Sequence, residues 1–185
     1  MVTQCDNEDE APPIRPLIGV SRCLLGDAVR YDGGSNRVPW ITDVLSSHCD
    51  FQAVCPEIEA GLGVPRPMIR LQGTPARPRA LLQMLPVRDV TNGIAAASEN
   101  LLAGIGNLDG LILKAHSPSC GPVQVPVIET SGQVAPGVGL FASACRAKWP
   151  RLPIIDETGL VSEAGRVAFL IGVFRYHCRQ HLPLH

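Results

Sequence analysis

Four short apolar runs, separated by longer amphipathic segments, constrain the fold of this chain more than any other feature. They are LIGV, FQAV, GLIL and LPII, at residues 17–20, 51–54, 110–113 and 152–155. Short continuous apolar runs that alternate with helical segments are typical of parallel strands buried on both faces. The sequence therefore predicts an α/β fold: a single-domain three-layer sandwich with a mainly parallel sheet, doubly wound and Rossmann-like.

The segments between these runs carry helical periodicity and capping residues. We predict helices at residues 39–48, 89–103, 138–149 and 160–179, and we expect the buried stripe of the last to be Val167, Leu170, Ile171 and Phe174. Residues 65–87 contain five prolines and are predicted to be loop with short extended pieces. Residues 1–15, which include Cys5, are predicted to form a flexible tail, and residues 16–185 a single domain.

Composition excludes several classes of function. Lys and Arg number 16 against 17 Asp and Glu, so the chain lacks the basic field of a general nucleic-acid coat. No run approaches the roughly 18 to 20 apolar residues of a membrane span. The acidic start lacks the features of a secretory signal, which predicts a cytoplasmic protein. Its seven cysteines must then be explained as ligands, nucleophiles or packed hydrophobic residues rather than disulfides.

Three of these cysteines follow three different predicted strands. Cys23, Cys55 and Cys120 each come after an apolar run and beside Gly, Pro or a short loop. Because the carboxyl ends of parallel strands meet at one edge of a sheet, we expect the three thiols to converge there. Thiolates are ligands for zinc, Cu(I) and iron-sulfur centres, and three protein ligands leave a fourth position open for chemistry. The alternative, an inert buried thiol, is the expected state of Cys49, Cys145 and Cys178.

Other polar residues cluster at the same strand ends. Glu57 stands where a general acid or base is useful, or where a carboxylate merely complements a helix N-terminus. Ser117 and Ser119 either bind a ligand or cap the following helix. Lys114 and His116 flank the end of the third run, and the histidine has a structural alternative as well.

Five motifs, in this order, resemble those of the bacterial 2-thiouracil desulfidase family. They are SRCLLG (21–26), VRYDG (29–33), VCPE (54–57), GLGVPR (61–66) and LKAHSPSCG (113–121). The resemblance covers about residues 16–180. It implies a [4Fe-4S] cluster held by Cys23, Cys55 and Cys120, with one iron open, and catalytic roles for Glu57 and Ser117.

The resemblance also implies a reaction. The expected enzyme is a hydrolase or lyase that replaces the thiocarbonyl sulfur of 2-thiouracil, or of a related base or nucleoside, by oxygen without net electron transfer. Ser119, Arg30, Tyr31, Asp32 and Arg66 are the nearest polar groups for a pyrimidine edge, although the charged ones have an alternative as loop salt bridges. Eight aromatic residues are too few for a broad base-stacking surface, so no stable nucleic-acid complex is expected, and the oligomeric state is left open.

Two other classes of function use the same residues. The first is a zinc protein in which His116 or water completes the three cysteines. The second is a module that binds sulfide or a thiolated base without turning it over. Bound zinc without labile sulfide would indicate the first, and tight binding without product the second.

Overall fold

The computed structural model describes residues 15–181, so nearly all of the predicted tail, Cys5 included, and residues 182–185 lie outside the described part. The elements, in chain order, are β1 Leu17–Ser21, α1 Arg22–Leu25, β2 Asp50–Val54, α2 Pro56–Glu59, β3 Ile69–Thr74, β4 Arg77–Leu82, β5 Arg88–Asp89, α3 Thr91–Gly104, β6 Gly110–Leu113, β7 Val125–Ile128, β8 Val134–Gly137, α4 Leu140–Lys148, β9 Ile154–Asp156 and α5 Glu163–His181.

The four apolar runs form one parallel sheet, in the order β2-β1-β6-β9. Side chains alternate across it, as strand geometry requires. Ile18, Val20 and Ile112 pack on one face with Phe169 of α5. Leu111 of β6 packs on the other face, within a cluster that includes residues of α3 and α4. Both faces are therefore covered by helices, which confirms the α/β architecture and explains why the central strands β1 and β6 read as continuous apolar runs. The edge strand β2 is largely exposed.

The buried face of α5 differs from the prediction. Val167, Ile171 and Phe174 are nearly half exposed, whereas Phe169 and Val173 are buried against the sheet. Gly110 of β6 explains the choice of face. A Cβ atom there would lie 2.8 Å from Val173 and 3.1 Å from Phe169, so the bare backbone of this strand lets α5 approach closely on that side.

The other predicted helices are found with different lengths. α3 and α4 occupy the predicted segments. Residues 39–48 instead form a short π-helical turn, Trp40–Val44, followed by a 3₁₀ turn, Leu45–Ser47. Ile41 and Leu45 are buried there, whereas Val44 is exposed.

A second sheet was not predicted. It has five strands in the order β5-β4-β3-β7-β8 and mixes parallel and antiparallel pairs. Its hairpin β3–β4 lies inside residues 65–87, which were predicted to be loop with short extended pieces. The extended pieces are two paired six-residue strands, so the prediction understated the regular structure of this segment. Pro78 is accommodated because it pairs with Gly73 beside the turn, at the end of the ladder. The sheet packs through Leu71, Val125 and Val127 against Ile94 of α3.

Between residues 15 and 181 no helix is long and apolar enough to cross a bilayer.

Candidate functional site

The structure brings the three cysteines to one cleft of about 340 Å³ at the carboxyl edge of the parallel sheet. Cys23 lies in α1, directly after β1, and Cys55 is the residue between β2 and α2. Cys120 lies in the loop after β6. Each cysteine follows the carboxyl end of its strand, which places all three thiols at the same edge of the sheet.

Burial and mutual repulsion govern the protonation of these thiols. Burial raises the pKa of Cys23 from its ordinary value of 9.0 to about 11, and the neighbouring Cys55 thiolate adds to the rise. Burial also raises the pKa of Cys55, and it raises that of Cys120 well above the ordinary value. The thiols are therefore protonated at neutral pH until a cationic centre binds them, and that binding must release their protons.

The spacing of the thiols is wider than a single ion requires. Within residues 15–181, no three Cys, His, Asp or Glu side chains come together closely enough to hold one metal ion. The three cysteines nevertheless line one cleft. In an iron-sulfur cluster each thiolate binds a different iron, so such ligands need not meet at one point.

Glu57 is held from two sides at the start of α2. Arg66 donates from Nε to Oε2 of Glu57 at 2.9 Å and forms a second hydrogen bond from Nη2 to the same oxygen. Ser119 donates from Oγ to Oε1 at 2.9 Å. Only 5% of the Arg66 side chain and 12% of the Glu57 side chain is exposed. The carboxylate is thus fixed in the wall of the cleft.

Arg66 has no N–H left for a ligand. Besides its two hydrogen bonds to Glu57, it donates from Nη1 to the carbonyl oxygens of Val29 and Gly63, and from Nη2 to that of Val29. A guanidinium has five N–H groups, and all five are used here. Arg66 therefore has no free donor for the predicted hydrogen bond to a pyrimidine edge.

The two serines of the SPSC segment differ in position. Ser117 lines the cleft, and its Oγ accepts hydrogen bonds from the backbone N–H groups of Cys120 at 3.0 Å and Ser119 at 3.3 Å. These contacts leave its hydroxyl proton available to a ligand. Ser119 was predicted to bind substrate. It is completely buried, donates to Glu57 and does not line the cleft.

The remaining predicted residues lie on the loop after α1. Arg30 and Tyr31 line the cleft, with the guanidinium carbon of Arg30 5.8 Å from the centre of the Tyr31 ring. Asp32 is exposed and outside the cleft wall. Its Oδ1 accepts hydrogen bonds from Gly34 N at 3.0 Å and from Arg30 Nε at 3.4 Å, which makes it a loop-shaping residue.

The sequence interpretation missed an ion pair made by Lys114, a residue of the cleft wall, with Glu157. Lys114 Nζ donates to Oε1 of Glu157, and the backbone N–H of Ala115 donates to Oε2 of Glu157 at 2.7 Å. The register of β6 and β9 aligns Leu113 with Asp156, so the two charged residues follow aligned strand ends. The signal available in the sequence was a lysine after the run at 110–113 and a glutamate just after the run at 152–155.

Comparison with known proteins gives the site its context. The 2-thiouracil desulfurase family model matches residues 18–157. The chain belongs to this family. The matched segment includes all three cysteines, Glu57 and both serines of the desulfurase motifs.

A solved structure supports the family assignment. It is described as a [4Fe-4S]-dependent thiouracil desulfidase, TudS, and shares 29% identity with this desulfurase-family chain at a TM-score of 0.64. The alignment covers 83% of this chain and 99% of the other. No curated protein matches the chain.

Proposed function

We propose that this protein is a [4Fe-4S]-dependent desulfidase that converts the thiocarbonyl group of 2-thiouracil, or of a related thiolated base or nucleoside, into a carbonyl. The overall change is C=S plus water to C=O plus hydrogen sulfide, so no electrons are gained or lost. One observation carries the proposal: three cysteine thiols and a fixed carboxylate share one cleft in a chain of the desulfurase family.

The donor set fits a cluster better than a single zinc ion. Cys23, Cys55 and Cys120 supply three soft ligands around one cleft without the close convergence of a mononuclear site. They would hold three irons of the cluster. When bound, the cluster supplies an open, Lewis-acidic iron with affinity for a thiocarbonyl sulfur.

Glu57 is the residue best placed to handle the proton of water. Its carboxylate pairs with Arg66 and is held in the cleft wall by that pair and by Ser119. It accepts a proton from the water that attacks the thiocarbonyl carbon, and the carbon–sulfur bond then breaks with its electron pair leaving on sulfur. As the carbonyl forms, one of the two water protons passes to that sulfur to give hydrosulfide, and the other is released to solvent. Arg66 and Ser119 act as positioning residues because both fix the carboxylate and neither retains a hydrogen-bond donor for the substrate.

The substrate ring meets a mixed polar and aromatic wall. The hydroxyl of Ser117 donates a hydrogen bond to the substrate, and Tyr31 and Arg30 contact the ring or its substituent. A cleft of about 340 Å³ suits a small molecule rather than a nucleic-acid strand. The protein accordingly acts on free bases or nucleosides. We propose the cytoplasm as its location.

Metal analysis tests the proposal. Protein purified without oxygen should contain about four irons and four labile sulfides per chain, with a broad brown absorption band. Cys23→Ser, Cys55→Ser and Cys120→Ser should each lose that content, because each removes one ligand. Cys178→Ser and Cys145→Ser are the matched controls, one exposed and one buried in the core, and should retain it. Zinc in place of iron would contradict the proposal, and so would tight binding of 2-thiouracil without product.

A further inference from the structure

Lys114 lines the cleft and pairs with Glu157, which does not line it, and this ion pair has no part in the chemistry described so far. The side chains are 21% and 13% exposed, so this is a half-buried pair rather than a surface one. Lys114 lines the cleft, and its position is fixed by the strand end of β6, where its backbone N–H donates to Ser21 Oγ at 3.0 Å.

Lys114 retains a hydrogen-bond donor for a ligand. An ammonium group has three N–H bonds. One donates to Glu157 Oε1 and one to the carbonyl oxygen of Ala115 at 3.2 Å. The part of the chain that the structure describes offers the third no acceptor. Arg66, the other buried cation of the cleft, has used all of its donors.

The charge of Lys114 acts on the same space as the thiols. Lys114 lines the same cleft as Cys23, Cys55 and Cys120. A cleft that gathers three thiolates and expels sulfur as an anion accumulates negative charge. A half-buried ammonium beside it offsets that charge more effectively than an exposed one, because water screens it less.

We propose that Lys114 binds the departing sulfur, donating its third N–H to the hydrosulfide anion, and that Glu157 holds the ammonium in place and moderates its charge. This inference rests on the proposed function. When the carbon–sulfur bond breaks, the electron pair stays on sulfur, and Lys114 stabilises that charge by a hydrogen bond without giving up its own proton.

The test is hydrosulfide affinity, measured by titrating sodium sulfide into anaerobic, cluster-loaded protein and following the visible spectrum. Lys114→Met should weaken binding about tenfold or more, because a charge-assisted hydrogen bond is lost. Glu157→Gln should tighten binding, since it removes the opposing negative charge while its one amide oxygen still accepts from Lys114, at the expense of the hydrogen bond from Ala115. Lys148→Met, which removes a lysine of α4 that is exposed and outside the cleft, is the control and should bind as the wild type does.

Opposite shifts in the two variants distinguish charge from structure. A purely structural pair would weaken binding in both variants alike, and that result would overturn the inference, as would an unchanged affinity in both or no binding by the wild type. If Lys114→Met does not hold its cluster, the Glu157→Gln variant decides alone. Tighter hydrosulfide binding by that variant supports the inference, and weaker or unchanged binding overturns it. Conversion of 2-thiouracil by the same wild-type preparation tests the proposed function separately.

Discussion

The carboxylate of Glu57 is positioned by two neighbouring residues. Arg66 binds one carboxylate oxygen and Ser119 donates to the other, so two buried residues position the one that faces the cleft. Such an arrangement restricts the rotation of the carboxylate and keeps it ready to take up a proton. Its neighbour Glu59, two residues along the same short helix, is exposed.

Glu57→Gln should abolish most of the activity while the protein keeps its cluster. The amide accepts and donates hydrogen bonds but cannot take a proton from water, and loss of a general base costs about 10²- to 10⁴-fold in rate. Glu59→Gln is the matched control and should have wild-type rates. Steady-state kinetics with iron content measured on each sample checks both. A Glu57→Gln protein with near-normal kcat would show that another group removes the proton.

The two serines should respond differently to replacement by alanine. Ser117→Ala removes a donor in the cleft wall, so we expect KM to rise and kcat to fall. Ser119→Ala removes only the hydrogen bond that fixes Glu57 Oε1, so kcat should fall with KM nearly unchanged. The measurement is kcat and KM, determined separately for each variant. A raised KM in Ser119→Ala would place that serine against the substrate.

The positions of these residues were predictable from the sequence, but their roles were not. Motif order places Arg66 and Ser119 near the strand ends, and the structure has them there. Which hydrogen-bond donors remain free depends on backbone carbonyls such as Val29 and Gly63, which no pattern of side chains reveals. For that reason two residues that were predicted to bind substrate direct their hydrogen-bond donors to Glu57 and to backbone carbonyls instead.

At the scale of elements, the loop that carries Ser117 and Cys120 is seated on the N-terminus of α4. The backbone N–H groups of Leu140 and Phe141 donate to the carbonyl oxygens of Pro118 at 3.1 Å and Ser119 at 2.9 Å. Gly139 permits this approach, since a Cβ atom there would lie 2.5 Å from the Ser119 carbonyl oxygen. Helix and loop therefore form one structural unit.

Gly139→Ala should disturb this unit and with it the cluster. The added methyl group meets backbone rather than flexible side chains, so we expect a loss of about 1–3 kcal/mol in stability and reduced iron content. Gly93→Ala, in α3, is the control because nothing lies within 4 Å of its added Cβ. That change should stabilise the protein by about 0.5–1 kcal/mol through helix propensity. Denaturant unfolding of the cluster-free variants, together with iron analysis, measures both effects, and equal stability in the two would contradict the packing argument.

The elements themselves were predictable to different degrees. The central parallel strands β1 and β6 were clear because both of their faces are buried. The hairpin β3–β4 was hidden because its prolines suggest loop, and its tolerance of Pro78 depends on a pairing partner at the turn. The face of α5 was ambiguous because apolar residues occur all round that helix, and the deciding residue, Gly110, lies on a strand 59 positions before Phe169.

For the molecule as a whole, buried thiols predict how stability changes with pH in the cluster-free protein. Burial raises the pKa of Cys23 and Cys49 to about 11 and that of Cys145 to about 12, from 9.0. A raised pKa means that the folded state holds these protons more tightly than the unfolded state. The resulting stabilisation is complete below pH 9 and is lost as pH rises towards 11 and 12.

The Tm of the cluster-free protein should therefore fall progressively above pH 9. Cys145→Ala should reduce the steepness of that fall, because it removes the thiol with the highest of these pKa values, whereas Cys178→Ala, at an exposed position, should leave the steepness unchanged. Thermal unfolding at a series of pH values, under reducing conditions, is the measurement. A Tm that stays constant from pH 9 to 11 would show that these thiols already ionise in the folded state.

The measurement that tests the central claim most directly is conversion of 2-thiouracil by anaerobic, cluster-loaded protein in the absence of any reductant. Uracil and sulfide are quantified together, with Glu57→Gln and cluster-free protein run in parallel. We predict that wild-type protein releases one sulfide for each uracil formed over many turnovers, and that both parallel samples form almost none. Failure of the loaded wild-type protein to form uracil, or a requirement for one equivalent of reductant per turnover, would contradict a hydrolytic desulfidase.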